Sequence, residues 1–361
     1  MKITVVDLFC GIGGLTHGLQ LAGLNVVAGY DIDLSCRYAY EDNNNAIFVH
    51  GDVAEISADK INKHYEDSDI RVLVGCAPCQ PFSKYTLRYR KSEAEEASQR
   101  GSYVKKHNKW GLVSAFAEKI RQVRPHVVSM ENVPELRNTD VFKQFIKTLE
   151  NMDYKVSFVV AYCPDYGVPQ NRKRLVLLAS NLGEINLIAP LYTPEEYITV
   201  RRAIGALPEI NAGERHNEDS LHFSARLNET NLLRIQSSVE GGTWRDWDEA
   251  LQLACHKKPT GRSYPSVYGR MRWDEPSPTI TTQFYGYGNG RFGHPEQDRA
   301  ISIREGAILQ SFPQGYRIGG VNNTCNTRTM GTHIGNAVPV ELGRAIGTSI
   351  INHLLEVVDY E

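Results

Sequence analysis

The sequence lacks the features of several protein classes. No apolar run approaches the roughly 18 residues that a membrane-spanning helix requires, so we expect no membrane span and no membrane partner. The amino-terminal stretch MKITVVDLFCGIGG is interrupted by Asp7 and runs into glycines instead of a cleavage site. It therefore predicts a strand and not a signal peptide.

The chain also has little net charge and no pattern of a disulfide framework. With a formal charge of −2, any contact with nucleic acid must come from local basic patches. The seven cysteines are odd in number and irregularly spaced, and 361 residues are enough to fold without cross-links. These features predict a cytoplasmic protein.

What the sequence does contain is an alternation of short apolar runs with amphipathic segments up to about residue 180. The runs at 3–9, 25–31, 46–50, 70–76, 126–130 and 174–180 are typical of strands buried on both faces. Residues 111–124 have the spacing of a helix. The alternation predicts an α/β fold, an open and mostly parallel sheet with its ligand crevice at the carboxyl ends of the strands.

The regular pattern stops after this region. Residues 185–275 mix proline, glycine, asparagine, tryptophan and charged residues without a sustained period, and helical spacing returns after Pro339. We predict a catalytic domain over 1–184, a smaller, irregular domain over 185–325 and a carboxyl-terminal segment, 326–361, whose helix returns to the first domain.

A glycine-rich turn follows the first predicted strand. The stretch FCGIGGLTHGL allows backbone amides to approach a ligand closely, and an acid about 20 residues further on, Asp31 or Asp33, suits a ribose diol. Thr16 stands where a dinucleotide site prefers a third glycine, which counts against NAD or FAD. An adenosyl ligand without a pyrophosphate remains open, as does an ordinary strand-to-helix turn.

Two cysteines in GCAPCQPFS, Cys76 and Cys79, allow three interpretations. Zinc requires about four ligands, and no second pair stands at matching spacing, so we predict no metal. A redox dithiol requires two free thiols, whereas Cys76 closes an apolar strand and is expected to point into the core. Cys79, in the loop beyond the strand, is placed to act as a nucleophile.

Seven blocks together identify a family. They are DLFCGIGGL, GCAPCQPFS, MENVPEL, DYGVPQNRKR, PSPTITT, REGAILQSFP and GNAVP. In this order the chain closely resembles the cytosine carbon-5 DNA methyltransferases over nearly its whole length, except about 185–260. The resemblance implies a Rossmann-like, doubly wound, seven-stranded sheet of the S-adenosylmethionine methyltransferase fold, with a loop-rich target-recognition domain.

The resemblance also implies catalytic roles. Cys79 is the thiolate that adds to carbon 6 of cytosine, and Glu131 is the acid that faces ring nitrogen 3 and the exocyclic amine. We expect Glu131 to follow the strand 126–130. Arg172 and Arg174 match a pair of arginines near the base, and their alternation predicts one face of one strand.

The implied methyl donor is S-adenosylmethionine. By resemblance its pocket includes the glycine turn, an acid at the ribose, an acid at the adenine amine and two further residues. These positions are Phe9, Gly11, Gly13, Asp31, Asp52, Leu112 and Asn336.

Partners follow from the same resemblance. A base inside duplex DNA must be flipped out to reach the pocket, and the basic, tyrosine-containing segment 84–109 is expected to close over the backbone. Backbone amides of 286–299 are a second candidate for phosphate contact. We predict a monomer acting on double-stranded DNA, with a cognate restriction endonuclease as a possible partner.

Three alternatives are weighed against this prediction. A transfer-RNA methyltransferase of the same family is disfavoured, because the Cys-Phe-Thr signature of that branch is absent. A catalytically inert DNA-binding relative is disfavoured by the presence of Cys79, Glu131 and both arginines. A redox or zinc protein would require Cys76 and Cys79 to matter equally.

Overall fold

The computed structural model describes residues 1–78, 111–258, 265–320 and 325–358. Among these, the strands are β1 (Ile3–Leu8), β2 (Val26–Asp31), β3 (Ile47–His50), β4 (Ile70–Gly75), β5 (Val127–Asn132), β6 (Lys155–Tyr162), β7 (Gln170–Asn171), β8 (Lys173–Ser180) and β9 (Ser277–Pro278). The helices are α1 (Gly14–Leu21), α2 (Arg37–Asn43), α3 (Ala58–Asn62), α4 (Gly111–Val123), α5 (Asp140–Glu150), α6 (Val200–Ile204), α7 (Glu229–Gln236), α8 (Ile303–Leu309), α9 (Thr327–Asn336) and α10 (Val340–Val358).

Two compact units divide the chain. The first takes its described residues from Met1–Tyr162, Lys173–Ala189 and Gly343–Glu361, and the second from Cys163–Arg172 and Pro190–Leu342. These limits differ from the domain limits at 184 and 325 that the sequence predicts, which stay predictions. The second unit takes a short segment from between two strands of the first.

The first unit contains a seven-stranded sheet in the order β3-β2-β1-β4-β5-β8-β6. Neighbours from β3 to β5 pair in parallel, whereas β8 runs antiparallel to both β5 and β6. The predicted mostly parallel α/β sheet is therefore confirmed. Strand order reverses beside β1, the kind of switch point at which open α/β sheets bind ligands.

Burial of apolar side chains explains why these segments form strands and helices. The β1 residues Val5, Val6 and Leu8 are fully buried, as a strand covered on both faces requires. In α4, the residues Val113, Phe116, Ala117 and Ile120 recur at helical spacing and are buried. Helix α4 then ends where Arg124 adopts a positive φ of 53°.

The second unit has its own core and is less regular. Strands β7 and β9 form a short parallel pair, and a cluster of Ile235, Trp244, Trp247, Tyr287 and Ala300 is buried. Arg299 and Glu305 form a fully buried ion pair of 2.7 Å. The loop-rich character that the sequence predicts for this region is confirmed.

Candidate active site

The glycine turn lies directly after β1, at the carboxyl edge of the sheet. Phe9, Gly11 and Gly13 have φ values of 62°, 51° and 87°, so the chain turns sharply before α1 begins. The amide of Gly11 donates to Oδ2 of Asp31 over 2.8 Å, which joins the turn to the end of β2. A Cβ at Gly11 would meet no atom of the described residues within 4 Å, so the turn borders open space in the part of the chain that the structure describes.

Acidic side chains stand at the ends of the next two strands. Asp31 ends β2 and accepts hydrogen bonds from the amides of Gly11 and, through Oδ1 at 2.9 Å, Asp33. Asp52 follows β3 and accepts from the amide of Ala54 at 2.9 Å. Asp31 and Asp52 are partly buried and Asp33 is exposed. Asp31 therefore has the closer tie to the glycine turn.

Apolar residues complete this edge. Phe9 and Leu112 are partly buried and pack against the main hydrophobic core of the first unit. The rings of Phe9 and Phe116 meet edge to face with centroids 6.4 Å apart. Asn336, the last of the predicted pocket residues, is exposed at the end of α9 and belongs to the second unit.

A buried carboxyl lies beneath the turn, which the sequence-based predictions overlooked. Asp7 is fully buried in β1 and accepts a 2.7 Å hydrogen bond from the Thr16 hydroxyl, which also lies 3.1 Å from the hydroxyl of Tyr40. Its other oxygen, Oδ1, has no hydrogen-bond partner among the described residues. Burial raises the pKa of Asp7 to about 7, and the charge of Asp31 also favours the neutral form.

Glu131 lies at the same edge, on β5. Its side chain is only 3% exposed, and Oε1 forms a 2.8 Å ion pair with Nε of Arg174. Because β8 runs antiparallel to β5, the start of β8 reaches the edge where β5 ends, which brings Arg174 to Glu131. The expectation that Glu131 follows the strand is wrong, since β5 continues to Asn132.

Cys76 also differs from its prediction. It follows β4, is partly exposed and donates its thiol to Oε2 of Glu131 over 2.9 Å, instead of pointing into the core. The parallel register explains the contact, since Gly75 is paired with Met130 and the next step places Cys76 beside Glu131. Burial and the charge of Glu131 raise the pKa of the Cys76 thiol well above its usual range.

The loop that leads to Cys79 is anchored from β5. The side-chain amide of Asn132 donates to the carbonyl of Ala77 over 3.0 Å, and Asn132 is buried. Cys79 itself lies outside the described residues, as does the segment 84–109 that is expected to close over DNA. Both stay predictions.

Arg172 has a different environment from Arg174. It lies between β7 and β8, so the prediction that both arginines share one face of one strand is wrong. Within the second unit, Arg172 is 2% exposed and donates to the carbonyls of Ile280 (3.0 Å) and Gly335 (3.2 Å). The alternation of residues in the sequence could not reveal this break in the strand, because Arg172 donates to carbonyls that are distant in sequence.

Tryptophan and arginine side chains of the second unit differ in exposure. Trp244, Trp247 and Trp273 are buried, whereas Arg245 and Arg272 are exposed. In the segment 286–299, the amides of Gly293 and His294 donate to carbonyls of the same unit at 2.9 Å. The exposed arginines are therefore better placed to meet an external ligand than the tryptophans or these amides.

Comparison with known proteins identifies the family. A family model described as C-5 cytosine-specific DNA methylase matches residues 3–352. The chain belongs to this family. The Type II methylase M.HgiDII of Herpetosiphon aurantiacus is 51% identical over 349 residues, which cover 96% of this chain and 94% of that protein. The Type II methyltransferase M1.HphI of Haemophilus parahaemolyticus is 30% identical, with 97% and 87% covered. The chain is thus a DNA (cytosine-5) methyltransferase.

Solved structures show the same fold. An E. coli prophage-encoded protein described as a DNA modification methyltransferase superimposes with a TM-score of 0.72 at 19% identity, covering 98% of this methyltransferase and all of that chain. The Dnmt2 methyltransferase of S. pombe gives a TM-score of 0.57 at 17% identity, covering 99% of each chain. The methyltransferase fold predicted by resemblance is therefore confirmed.

The family and the fold imply S-adenosylmethionine as methyl donor. The residues at the sheet edge fit such a ligand, since an open glycine turn adjoins carboxylates that can accept from hydroxyl and amine groups. Among the helices of the described ranges, none is long and apolar enough to cross a membrane.

Proposed function

We propose that this methyltransferase acts on a cytosine flipped out of duplex DNA, with Cys79 as nucleophile and Glu131 and Arg174 facing the base. The observation that carries the proposal is the ion pair of 2.8 Å between the buried Glu131 and Arg174 at the carboxyl edge of the sheet. An acid held there by an arginine suits recognition of a polar ring edge.

The nucleophile acts first. The Cys79 thiolate forms a bond to carbon 6 of the cytosine, and the electrons of the 5,6 double bond move toward carbon 5 and the ring. Glu131, in its protonated form, donates a hydrogen bond to nitrogen 3 and accepts one from the exocyclic amine, which stabilises the charge that develops on the ring. After methylation, the proton on carbon 5 passes to a water molecule and the bond between sulfur and carbon 6 breaks, which restores the double bond and releases the Cys79 thiolate.

S-adenosylmethionine, when bound, supplies the electrophilic methyl group. We assign its adenosine and methionine parts to Phe9, Gly11 and Gly13, its ribose to Asp31 and its adenine amine to Asp52. Leu112 and Asn336 complete the proposed set. The hydrogen bond from Gly11 to Asp31 supports this assignment, because it fixes the turn against the acid that would meet the ribose.

Arg172 is proposed to position the main chain of the second unit. Its donation to the carbonyls of Ile280 and Gly335 supports a positioning role within the second unit, whereas the pairing of Arg174 with Glu131 supports a role at the base.

Double-stranded DNA is the proposed substrate, at a flipping cost of roughly a few kcal/mol. The exposed Arg245 and Arg272 are proposed to contact it from the second unit. The similarity to M.HgiDII favours a cytoplasmic restriction-modification system, in which an endonuclease cuts the same sequence when it is unmethylated. We propose that the enzyme works as a monomer.

Transfer of a labelled methyl group tests the function. Wild-type protein is incubated with labelled S-adenosylmethionine and either duplex DNA or transfer RNA at one fixed salt concentration, and the product is digested to nucleosides. We expect label in 5-methylcytosine from DNA alone, and none from Cys79→Ser. Label in transfer RNA, or at an exocyclic amine, would contradict the proposal.

A further inference from the structure

Cys76 lies at the sheet edge but has no role in the proposed reaction. Cys76 follows β4, its thiol is close enough to Glu131 for a hydrogen bond of 2.9 Å, and the parallel pairing of β4 with β5 makes the two residues neighbours. A thiol at this place is neither a ligand of a metal cluster nor a partner in a disulfide among the described residues.

Cys76 and Arg174 contact different oxygens of the same carboxylate. Nε of Arg174 lies 2.8 Å from Oε1 and Sγ of Cys76 lies 2.9 Å from Oε2, so the two contacts together fix the plane of the Glu131 carboxylate. Burial of a carboxylate is costly unless its oxygens have partners, and Glu131 is only 3% exposed. Each contact therefore helps to determine where the acid points.

The protonation state of Cys76 suits a hydrogen-bond donor. Burial and the adjacent negative charge raise the pKa of its thiol well above the usual range, which keeps the proton on sulfur near neutral pH. A thiolate would be the nucleophilic or metal-binding form, and this environment opposes it. A thiol is also a weak donor, so a stronger donor can replace it at Oε2.

We propose that Cys76 is a positioning residue for Glu131. The Cys76 thiol holds Oε2 of Glu131 in the orientation that meets the cytosine, and the exocyclic amine replaces the thiol at that oxygen when the base binds. The inference rests on the proposed role of Glu131 at the base. It gives the first cysteine of GCAPCQPFS a function distinct from that of Cys79 and independent of redox or metal chemistry.

Two single substitutions distinguish loss of the hydrogen-bond donor at residue 76 from a change of the side chain as such. The variants are Cys76→Ala, which removes the donor, and Cys76→Ser, which keeps one. We expect kcat for methyl transfer to duplex DNA to fall about tenfold in the first and to stay within about threefold of wild type in the second. The Kd for S-adenosylmethionine should be unchanged in both. Cys255→Ala removes an exposed thiol and controls for thiol loss as such.

A double-mutant cycle tests the coupling to Glu131. In a Glu131→Gln background, Cys76→Ala should change the residual rate by less than about twofold, because the carboxylate that it orients is absent. The urea midpoint of each variant is measured alongside the rate. Should Cys76→Ala unfold under assay conditions, Cys76→Val takes its place, since valine removes the donor without leaving a cavity.

Three results would overturn the inference. They are a Cys76→Ala enzyme as fast as wild type, an equal loss in Cys76→Ala and Cys76→Ser, and an undiminished effect of Cys76→Ala in the Glu131→Gln background. Failure of the underlying function would look different. In that case wild-type protein would not methylate duplex DNA, or Glu131→Gln would be as active as wild type.

Discussion

Single carboxyl groups at the sheet edge differ sharply in environment, and that difference assigns them different roles. Asp7 is fully buried and one of its oxygens has no partner among the described residues, Glu131 is buried against an arginine, and Asp31 is partly buried and bound to the glycine turn. Asp31 and Glu131 are therefore proposed to meet ligands, whereas the fully buried Asp7 is expected to affect stability and the shape of the turn above it.

Asp7 should make the first unit less stable as pH rises. Its pKa is raised from 3.8 to about 7 in the folded state, so the native protein binds more protons than the unfolded chain between these values. The free energy of unfolding that Asp7 contributes therefore falls as pH rises from about 4 to about 7. Relative to wild type, Asp7→Asn should gain on the order of 2 kcal/mol between pH 5 and pH 8.

Urea unfolding monitored by far-ultraviolet circular dichroism measures this difference. The control is Asp67→Asn, an exposed acid in the same unit, whose effect should be the same at both pH values. A difference between Asp7→Asn and wild type that does not change with pH would show that Asp7 is not protonated in the native state.

Asp31 and Asp33 can be distinguished by cofactor affinity. Asp31→Ala removes the acceptor of the Gly11 amide, so we expect the Kd for S-adenosylmethionine to rise at least about tenfold. Asp33→Ala, whose carboxylate accepts from Ser35, should have a smaller effect. Isothermal titration calorimetry measures both, and a larger loss in Asp33→Ala would refute the assignment of the ribose to Asp31.

At the level of strands and helices, close packing against β2 leaves no space for a side chain at Gly29. A Cβ at Gly29 would stand 2.4 Å from ring atoms of Tyr40, which is fully buried. We expect Gly29→Ala to cost about 1–3 kcal/mol of unfolding free energy, because the ring has little space to move.

Urea midpoints of the purified variants measure this cost. Gly111→Ala is the matched control, since a Cβ at Gly111 meets no atom of the described ranges within 4 Å and the residue begins α4. Its stability should stay within about 0.5 kcal/mol of wild type. Equal midpoints for the two variants would show that β2 accommodates the methyl group.

The strands of the parallel half could be predicted from sequence, because burial on both faces leaves continuous apolar runs such as residues 70–76. The edge strand β6 was missed, although Lys155–Tyr162 is rich in β-branched residues; its exposed Phe158 and Val159 depart from the pattern of a buried strand. The antiparallel direction of β8, which brings Arg174 to Glu131, depends on pairing between distant segments and has no local signal.

The same limit applies to the site. Family resemblance identified Glu131 and Arg174, whose ion pair the structure contains, but the contact of Cys76 with Glu131 follows only from the register of β4 against β5. The prediction that Cys76 points into the core is wrong because β4 ends at Gly75, whereas the apolar run in the sequence continues to residue 76.

For the whole molecule, the two units should respond oppositely to mild acid. In the second unit, burial lowers the pKa of His294 from 6.5 to about 4. The unfolded chain then binds more protons than the native one between these values, so stability falls as pH drops through this window. Asp7 in the first unit gains stability over much of the same range.

Tryptophan fluorescence reports mainly on the second unit, since three of the four tryptophans, Trp244, Trp247 and Trp273, belong to it. Between pH 7.5 and pH 5, the unfolding free energy that it reports should fall by about 1–2 kcal/mol in wild type and by less in His294→Gln. An identical fall in both proteins would assign the acid sensitivity to other groups.

Cys79 is proposed to form a transient covalent bond to cytosine, and trapping that bond tests the proposed function most directly. Duplex DNA with 5-fluorocytosine at the target position is incubated with S-adenosylmethionine and protein, because fluorine on carbon 5 blocks elimination of the thiol. We predict a denaturation-resistant complex with wild type and Cys76→Ser and none with Cys79→Ser. A complex with Cys79→Ser, or its equal loss in both serine variants, would contradict the account.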